Sequence, residues 1–161
     1  MASITVKGLD EYALKIDRMG KASEEIIKRA VYKGAEPVAD AIKAGLRSLP
    51  VDDSYGSAEH PVNGVSRKQK SDLIESLGTA PIQEFKKGYI STKIGWDGYG
   101  SIKTKKYPKG VPNQMLMRSV ESGTSFRKKN PVVRKAINKV KKESVNAMGQ
   151  EIDLACSEII K

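Results

Sequence analysis

The stretch NPVVRKAINKVKKESVNAMGQEIDLACSEII, residues 130–160, decides most of the architecture. Asn130 is a good N-cap residue and Pro131 suits the first helical position, where a missing N–H costs nothing. Behind them Val133, Ile137, Val140, Ser144, Met148, Ile152, Ala155 and Ile159 recur in steps of three and four, so one face of a single long helix is predicted to be apolar. From Pro131 to Ile160 such a helix would measure about 45 Å at 1.5 Å per residue. A compact 161-residue domain has a radius of gyration of only ~15 Å, so the helix must span or overhang it.

Upstream, Asn113 to Ser122 reads as a shorter helix carrying Met115, Leu116 and Val120, stopped by Gly123. Ala80 to Phe85 and Tyr89 to Ile94 are β-compatible runs separated by Lys86-Lys87-Gly88, which predicts an antiparallel hairpin with Gly88 in its turn. Asp72, Leu73, Ile74 and Leu77 form a helical turn ended by Gly78. At the N-terminal side, Ile4-Thr5-Val6 reads as a short strand or extended arm. Asp10 caps a short helix through Tyr12, Ala13, Ile16 and Met19 that Gly20 ends. Ser23, Glu24 and Glu25 start a second helix whose apolar face runs from Ile26 to Leu46, with a kink expected near Gly34 to Pro37. The prediction is therefore one α+β domain over residues 1–161: a small antiparallel sheet packed against a kinked N-terminal helix and a long C-terminal helix.

Two long loops interrupt this order, at about 51–66 and 100–112. The first is dense in Asp, Ser, Gly and Pro and lacks periodic apolar residues, and the second holds the basic run 103–110. With little burial to offset the cost of ordering, both are expected to be mobile in a free subunit and ordered by a partner.

Charge is unevenly distributed. Residues 1–60 hold 9 Lys/Arg against 10 Asp/Glu, net −1, and residues 61–161 hold the remaining 20 against 9, net +11. The basic clusters are Arg67, Lys68 and Lys70; Lys103, Lys105, Lys106 and Lys109; and Arg127, Lys128, Lys129, Arg134 and Lys135. Clusters of this kind suit a polyanion or an acidic protein surface.

Enzyme chemistry finds little to work with. His60 is the sole histidine and lies in a Gly/Ser/Asp-rich loop; Cys156 is the sole cysteine and reads as a helix-face packing residue. Gly95-Trp96-Asp97-Gly98-Tyr99-Gly100 has glycines but lacks the lysine and hydroxyl of a phosphate-binding loop, so a turn with Trp96 and Tyr99 packed over a sheet edge or subunit contact is the simpler reading. No catalytic residue, cofactor or metal is expected, and no apolar run reaches the ~20 residues of a membrane span.

The order of short motifs resembles a family of neck and minor tail components, the tail-completion-like proteins of lambdoid and related siphophages. Val6-Lys7-Gly8-Leu9-Asp10-Glu11 is similar to the family's opening segment, and Lys33-Gly34-Ala35 with Val38-Ala39 to its second helix. Asp72 to Leu77 is similar to the segment before its hairpin. Val120-Glu121-Ser122-Gly123-Thr124, then Asn130-Pro131-Val132-Val133 and Ala136, resemble its Glu-x-Gly-Thr tetrad and the Pro-led opening of its last helix. Two positions depart from the pattern: Met115, Leu116, Met117 and Arg118 stand where an aromatic pair is common, and Val132 replaces a common Phe. The resemblance implies a non-enzymatic virion protein, assembled in the host cytoplasm into a ring, six copies being the expected number, that joins head-closure and tail-terminator or tail-tube proteins around the DNA channel. It marks Glu121, Gly123, Thr124 and Pro131 as motif residues.

Independently of the resemblance, Gly123 suits a helix end and Thr124 a local turn, leaving Glu121 free to pair with a Lys or Arg of its own or a neighbouring subunit. Lys103, Lys105, Lys106, Lys109, Arg127, Lys128 and Lys129 are the candidate contacts to passing double-stranded DNA or to an adjoining ring. The alternative class is a free-standing basic nucleic-acid-binding protein without sequence specificity. It draws on the pI near 9.6, but no helix-turn-helix, zinc-finger or stacking signature accompanies it.

Overall fold

In a computed structural model, which describes residues 9–86 and 89–160, four helices and four short strands follow one another. They are α1 (Leu9–Arg47), α2 (Arg67–Glu75), β1 (Leu77–Thr79), β2 (Gln83–Lys86), β3 (Tyr89–Ser91), β4 (Ile94–Trp96), α3 (Asn113–Ser122) and α4 (Val132–Ile160). The fold is α+β, as the sequence predicts, with long first and last helices packed on each other. Residues 4–6 lie outside the described residues, as does Gly88 of the expected turn.

The first two helices of the sequence reading are one. α1 runs through Gly20 and Ser23 without a break, and the Ser23 hydroxyl donates back to the Gly20 carbonyl at 2.8 Å instead of capping a new start. A single helix-interior Gly costs only about 1 kcal/mol relative to Ala, too little to end a helix held by tertiary packing. Pro37 also sits inside α1 and does not end it.

α1 and α4 run antiparallel. Arg29 of α1 pairs with Glu151 of α4 at 2.7 Å, the Ser144 hydroxyl donates to the Gly34 carbonyl at 2.6 Å, and a Cβ on Gly45 would lie 2.6 Å from Val132 Cγ1. A Cβ on Gly34 would lie 2.2 Å from Met148 Cε, so the backbones approach closely there. That approach selects small side chains and shifts the buried face of α4. Val132, Ala136, Val140, Ser144, Glu151 and Ala155 are buried, whereas Ile137 and Ile152 of the expected stripe are 42% and 39% exposed.

The core gathers where the α1–α4 pair meets the rest of the chain: Ile42, Leu46 and Leu49, then Val65, Leu73, Leu116, Met117 and Val120, then Val132 and Ala136. Leu46, Leu73, Val65 and Val120 are fully buried, each such side chain contributing about 1.5–3 kcal/mol. Beyond this head the two helices continue as an arm. Among the described residues no helix is long and apolar enough to cross a membrane.

The hairpin is longer and more broken than predicted. β2 pairs with β3 near the turn, with an irregularity between Glu84 and Lys86, and β1 pairs with β4 at the base, Gly78 opposite Gly95. The Ala80 N–H donates to the Lys93 carbonyl at 2.7 Å between the two pairs. Gly78 therefore lies in a strand; the helix before it ends at Ser76, whose N–H donates to the Asp72 carbonyl. That helix also begins earlier than expected, because Ser66 and Gln69 form a reciprocal capping box. Trp96 belongs to β4, and its indole N–H donates to the Leu73 carbonyl at 2.9 Å, fixing the sheet to α2.

Candidate functional site

The basic loop is tied at both ends. The Gly100 N–H donates to the Val111 carbonyl at 2.8 Å, and Gly110, at φ +97°, lies so close to Gly100 that a Cβ would fall 1.9 Å from the Gly100 oxygen. Only glycine fits there. Asp72 of α2 accepts from the Ser101 N–H at 2.8 Å and from its hydroxyl at 3.1 Å. Further out, Thr104 and Tyr107 exchange backbone hydrogen bonds, and the Tyr107 hydroxyl donates to Met115 Sδ at 3.6 Å. Val111 packs on the core. Between these ties Lys103 to Lys106, Pro108 and Lys109 are exposed, in keeping with the little burial expected of the run.

From it project Lys103, Lys105, Lys106 and Lys109, all exposed. Lys106 Nζ stands 5.7 Å from the Tyr107 ring centroid. None of the four forms an ion pair among the described residues, so their charge faces outward.

Lys128 and Lys129 are also exposed, on a turn closed by reciprocal backbone bonds between Thr124 and Arg127. Arg127 differs from them. It is 7% exposed, and its guanidinium donates to the Gly64 carbonyl and, at 3.2 Å, to Gln69 Oε1; Nε has no partner among the described residues. Burial holds its pKa below the ordinary arginine value, with the Asp52 carboxylate acting in the opposite direction. As a contact to DNA or to a neighbouring ring Arg127 is therefore corrected: its charge is spent inside the fold. Lys128 and Lys129, which follow it directly, are exposed, a difference that composition cannot register.

Arg127 also orders loop 51–66. Val62 exchanges backbone bonds with Phe126 and Lys128, Asp52 N–H donates to Val65, and Val62 and Val65 are buried in spite of the loop's polar composition. The Asp52 carboxylate accepts from the Ser54 hydroxyl at 2.5 Å and from the Asn63 and Ser54 N–H groups, which together hold its pKa below the usual carboxylate range. The expectation of little burial in this segment is overturned by two valines that no periodic pattern announces.

Loop 51–66, the basic loop and the turn at Arg127 border one cleft of about 440 Å³, with Ile102, Val111 and Leu116 at its apolar side and Asp52, Asp53 and Asp72 among its polar groups. Among the described residues no three His, Cys, Asp or Glu side chains gather as metal ligands. His60 is exposed, and Cys156 is half-buried on α4.

The Glu-x-Gly-Thr motif joins α3 to α4. Glu121 does not reach a lysine or arginine: its two carboxylate oxygens accept from the Val133 N–H at 2.9 Å and the Arg134 N–H at 3.0 Å. It thus caps α4 from another helix, a role the sequence assigned to Asn130, whose side chain instead donates to the Lys128 carbonyl. Gly123 ends α3 at φ +77° and ψ 169°, an extended left-hand conformation open essentially to glycine. Thr124 turns the chain through its backbone. Pro131 directly precedes the first residue of α4.

No protein-family model, curated protein or solved structure matches this chain.

Proposed function

We propose that the chain is a structural, non-enzymatic subunit of the neck or tail-completion region of a tailed bacteriophage virion, forming a ring, with six copies, between head-closure and tail-terminator or tail-tube proteins. The motif order around Glu121, Gly123, Thr124 and Pro131 supports the family reading. The observation that carries the role is the pinned loop presenting Lys103, Lys105, Lys106 and Lys109 without acidic partners, beside exposed Lys128 and Lys129. Lysines on a fixed frame attract phosphate or an acidic protein face at low ordering cost, and contacts to phosphate read no base sequence. In this reading the lysines line the DNA channel.

Replacing Lys103, Lys105, Lys106 and Lys109 together by Gln tests it. Imaged virions should be tailed and six-fold at the neck, with altered DNA ejection. Tailless filled heads would instead assign the loop to docking on an adjoining ring, and normal assembly with normal ejection would remove both roles. In solution, duplex binding should be weak and salt-sensitive. With a slope of about −0.9 per phosphate contact, loss of four lysines should flatten log K against log salt by up to ~3.6. A free-standing nucleic-acid-binding protein would show that same solution behaviour but would be absent from purified virions.

A further inference from the structure

Charge is handled in opposite ways on the two long helices. Along α1 several lysines find an acid one turn away: Lys21 pairs with Asp17, Lys28 with Glu24 and Lys33 with Glu36. The first third of α4 carries Arg134, Lys135, Lys139, Lys141 and Lys142, all exposed, and no Asp or Glu before Glu143. None of these cations forms an ion pair among the described residues, not even Lys139 with Glu143 one turn on. Within the chain this arrangement is unfavourable. Lys135, Lys139 and Lys142 follow one another in steps of four and three, the spacing at which like charges destabilise a helix. Arg134 and Lys135 also stand in the first turn of α4, against the positive end of its dipole.

The same residues share one side of the helix. At about 100° per residue, the buried Val132, Ala136, Val140 and Ser144 form one strip, and the cations fall within an arc of about 160° on the side opposite it. Between Val132 and Lys142 the one other residue in that arc is Asn138; the exposed Ile137 falls outside it. Arg134 with Lys141, and Lys135 with Lys142, are each two turns apart and make two rows, one on either side of Asn138. We propose that this face of α4 binds the phosphate backbone of duplex DNA, as a contact separate from the lysine loop. Its composition separates it from a protein-docking face, since protein interfaces are depleted in Lys and centre on apolar side chains, and the arc holds none. Charge density agrees. From Arg134 to Lys142 the helix rises about 12 Å, over which a duplex carries about seven phosphate charges at one per ~1.7 Å. Such contacts read no base sequence.

The surface does not rest on the neck reading, because it needs only phosphate and α4 itself. Within a neck ring it supplies a second set of charges to the passing duplex; in any other setting it binds duplex all the same.

Replacing Arg134, Lys135, Lys139, Lys141 and Lys142 together by Gln in the full chain tests it. Fluorescence anisotropy follows the binding of two unrelated labelled duplexes of about 20 base pairs, and of poly-glutamate, across a salt series for the wild type, this variant and the loop variant. The α4 variant should bind both duplexes at least tenfold more weakly at about 50 mM salt and flatten log K against log salt by up to ~4.5, at about 0.9 per contact. Its circular dichroism should match the wild type with a thermal midpoint no lower, since the charges removed repel one another. Replacing Lys135, Lys139, Lys141 and Lys142 by Arg keeps the charge and should keep the wild-type slope. Wild-type affinity and slope in the Gln variant, or loss of binding in the Arg variant, would overturn the surface. Tighter wild-type binding to poly-glutamate than to duplex would also overturn it and assign the face to an acidic protein. A loss confined to the loop variant leaves the loop contact standing without α4, and a loss confined to the α4 variant does the reverse. Virion incorporation tests the neck reading separately.

Discussion

Glu121→Ala should destabilise the isolated subunit, because its carboxylate is the cap of α4 and not a contact to another molecule. Two backbone donors, those of Val133 and Arg134, lose their acceptor, and α4 has no acidic residue in its own first turn to compensate. Loss of a helix N-cap costs about 0.5–2 kcal/mol. Loss of a negative charge at the positive end of the helix dipole adds about 0.3–1 kcal/mol. The expected total is about 1–3 kcal/mol. With a urea m-value of about 2 kcal/mol/M, the midpoint should fall by roughly 0.5–1.5 M at unchanged m. Glu121→Gln keeps one acceptor oxygen and removes the charge, so about half the loss is expected. Measured at low micromolar concentration, where association is negligible, an Ala variant with the wild-type midpoint would refute the cap and return Glu121 to a role between subunits.

Arg127→Met should cost about 2–4 kcal/mol in the same assay, since it orphans the Gly64 carbonyl and loosens loop 51–66; its affinity for duplex DNA should stay at the wild-type level, and a flattened salt dependence would contradict the buried placement. Asp52 should make the fold acid-sensitive. Its folded pKa lies below the unfolded value of about 3.9, so its contribution is complete above pH ~4 and is lost as pH falls through the depressed folded value. Asp52→Asn should therefore flatten the stability–pH profile below pH ~4, and a profile parallel to wild type would count against the Ser54 and Asn63 hydrogen bonds.

Local chemistry made several elements legible in the sequence. α3 occupies Asn113–Ser122 and stops at Gly123 as read, because a positive-φ glycine ends a helix whatever surrounds it. The start of α4 was legible within one residue from Asn130-Pro131, although the group that caps it comes from another helix, twelve residues earlier. The capping box of Ser66 and Gln69 was equally local and was there to be read. Charge asymmetry was plain from counting, and so was the position of the lysine-rich loop. What only the tertiary structure decided depends on which surfaces meet. Gly20 could have ended a helix and did not, because α1 as a whole is held against α4. Ile137 and Ile152 were the more hydrophobic candidates for the α4 face, yet Ala136 and Glu151 are buried, because close antiparallel approach rewards small side chains and Arg29 supplies Glu151 with a partner. Arg127 was indistinguishable from Lys128 and Lys129 by composition, and burial among Gly64, Gln69 and Asp52 was settled by residues about sixty positions away. Propensity and capping act over a few residues and are written in the sequence; partner choice across the core is a property of the folded whole.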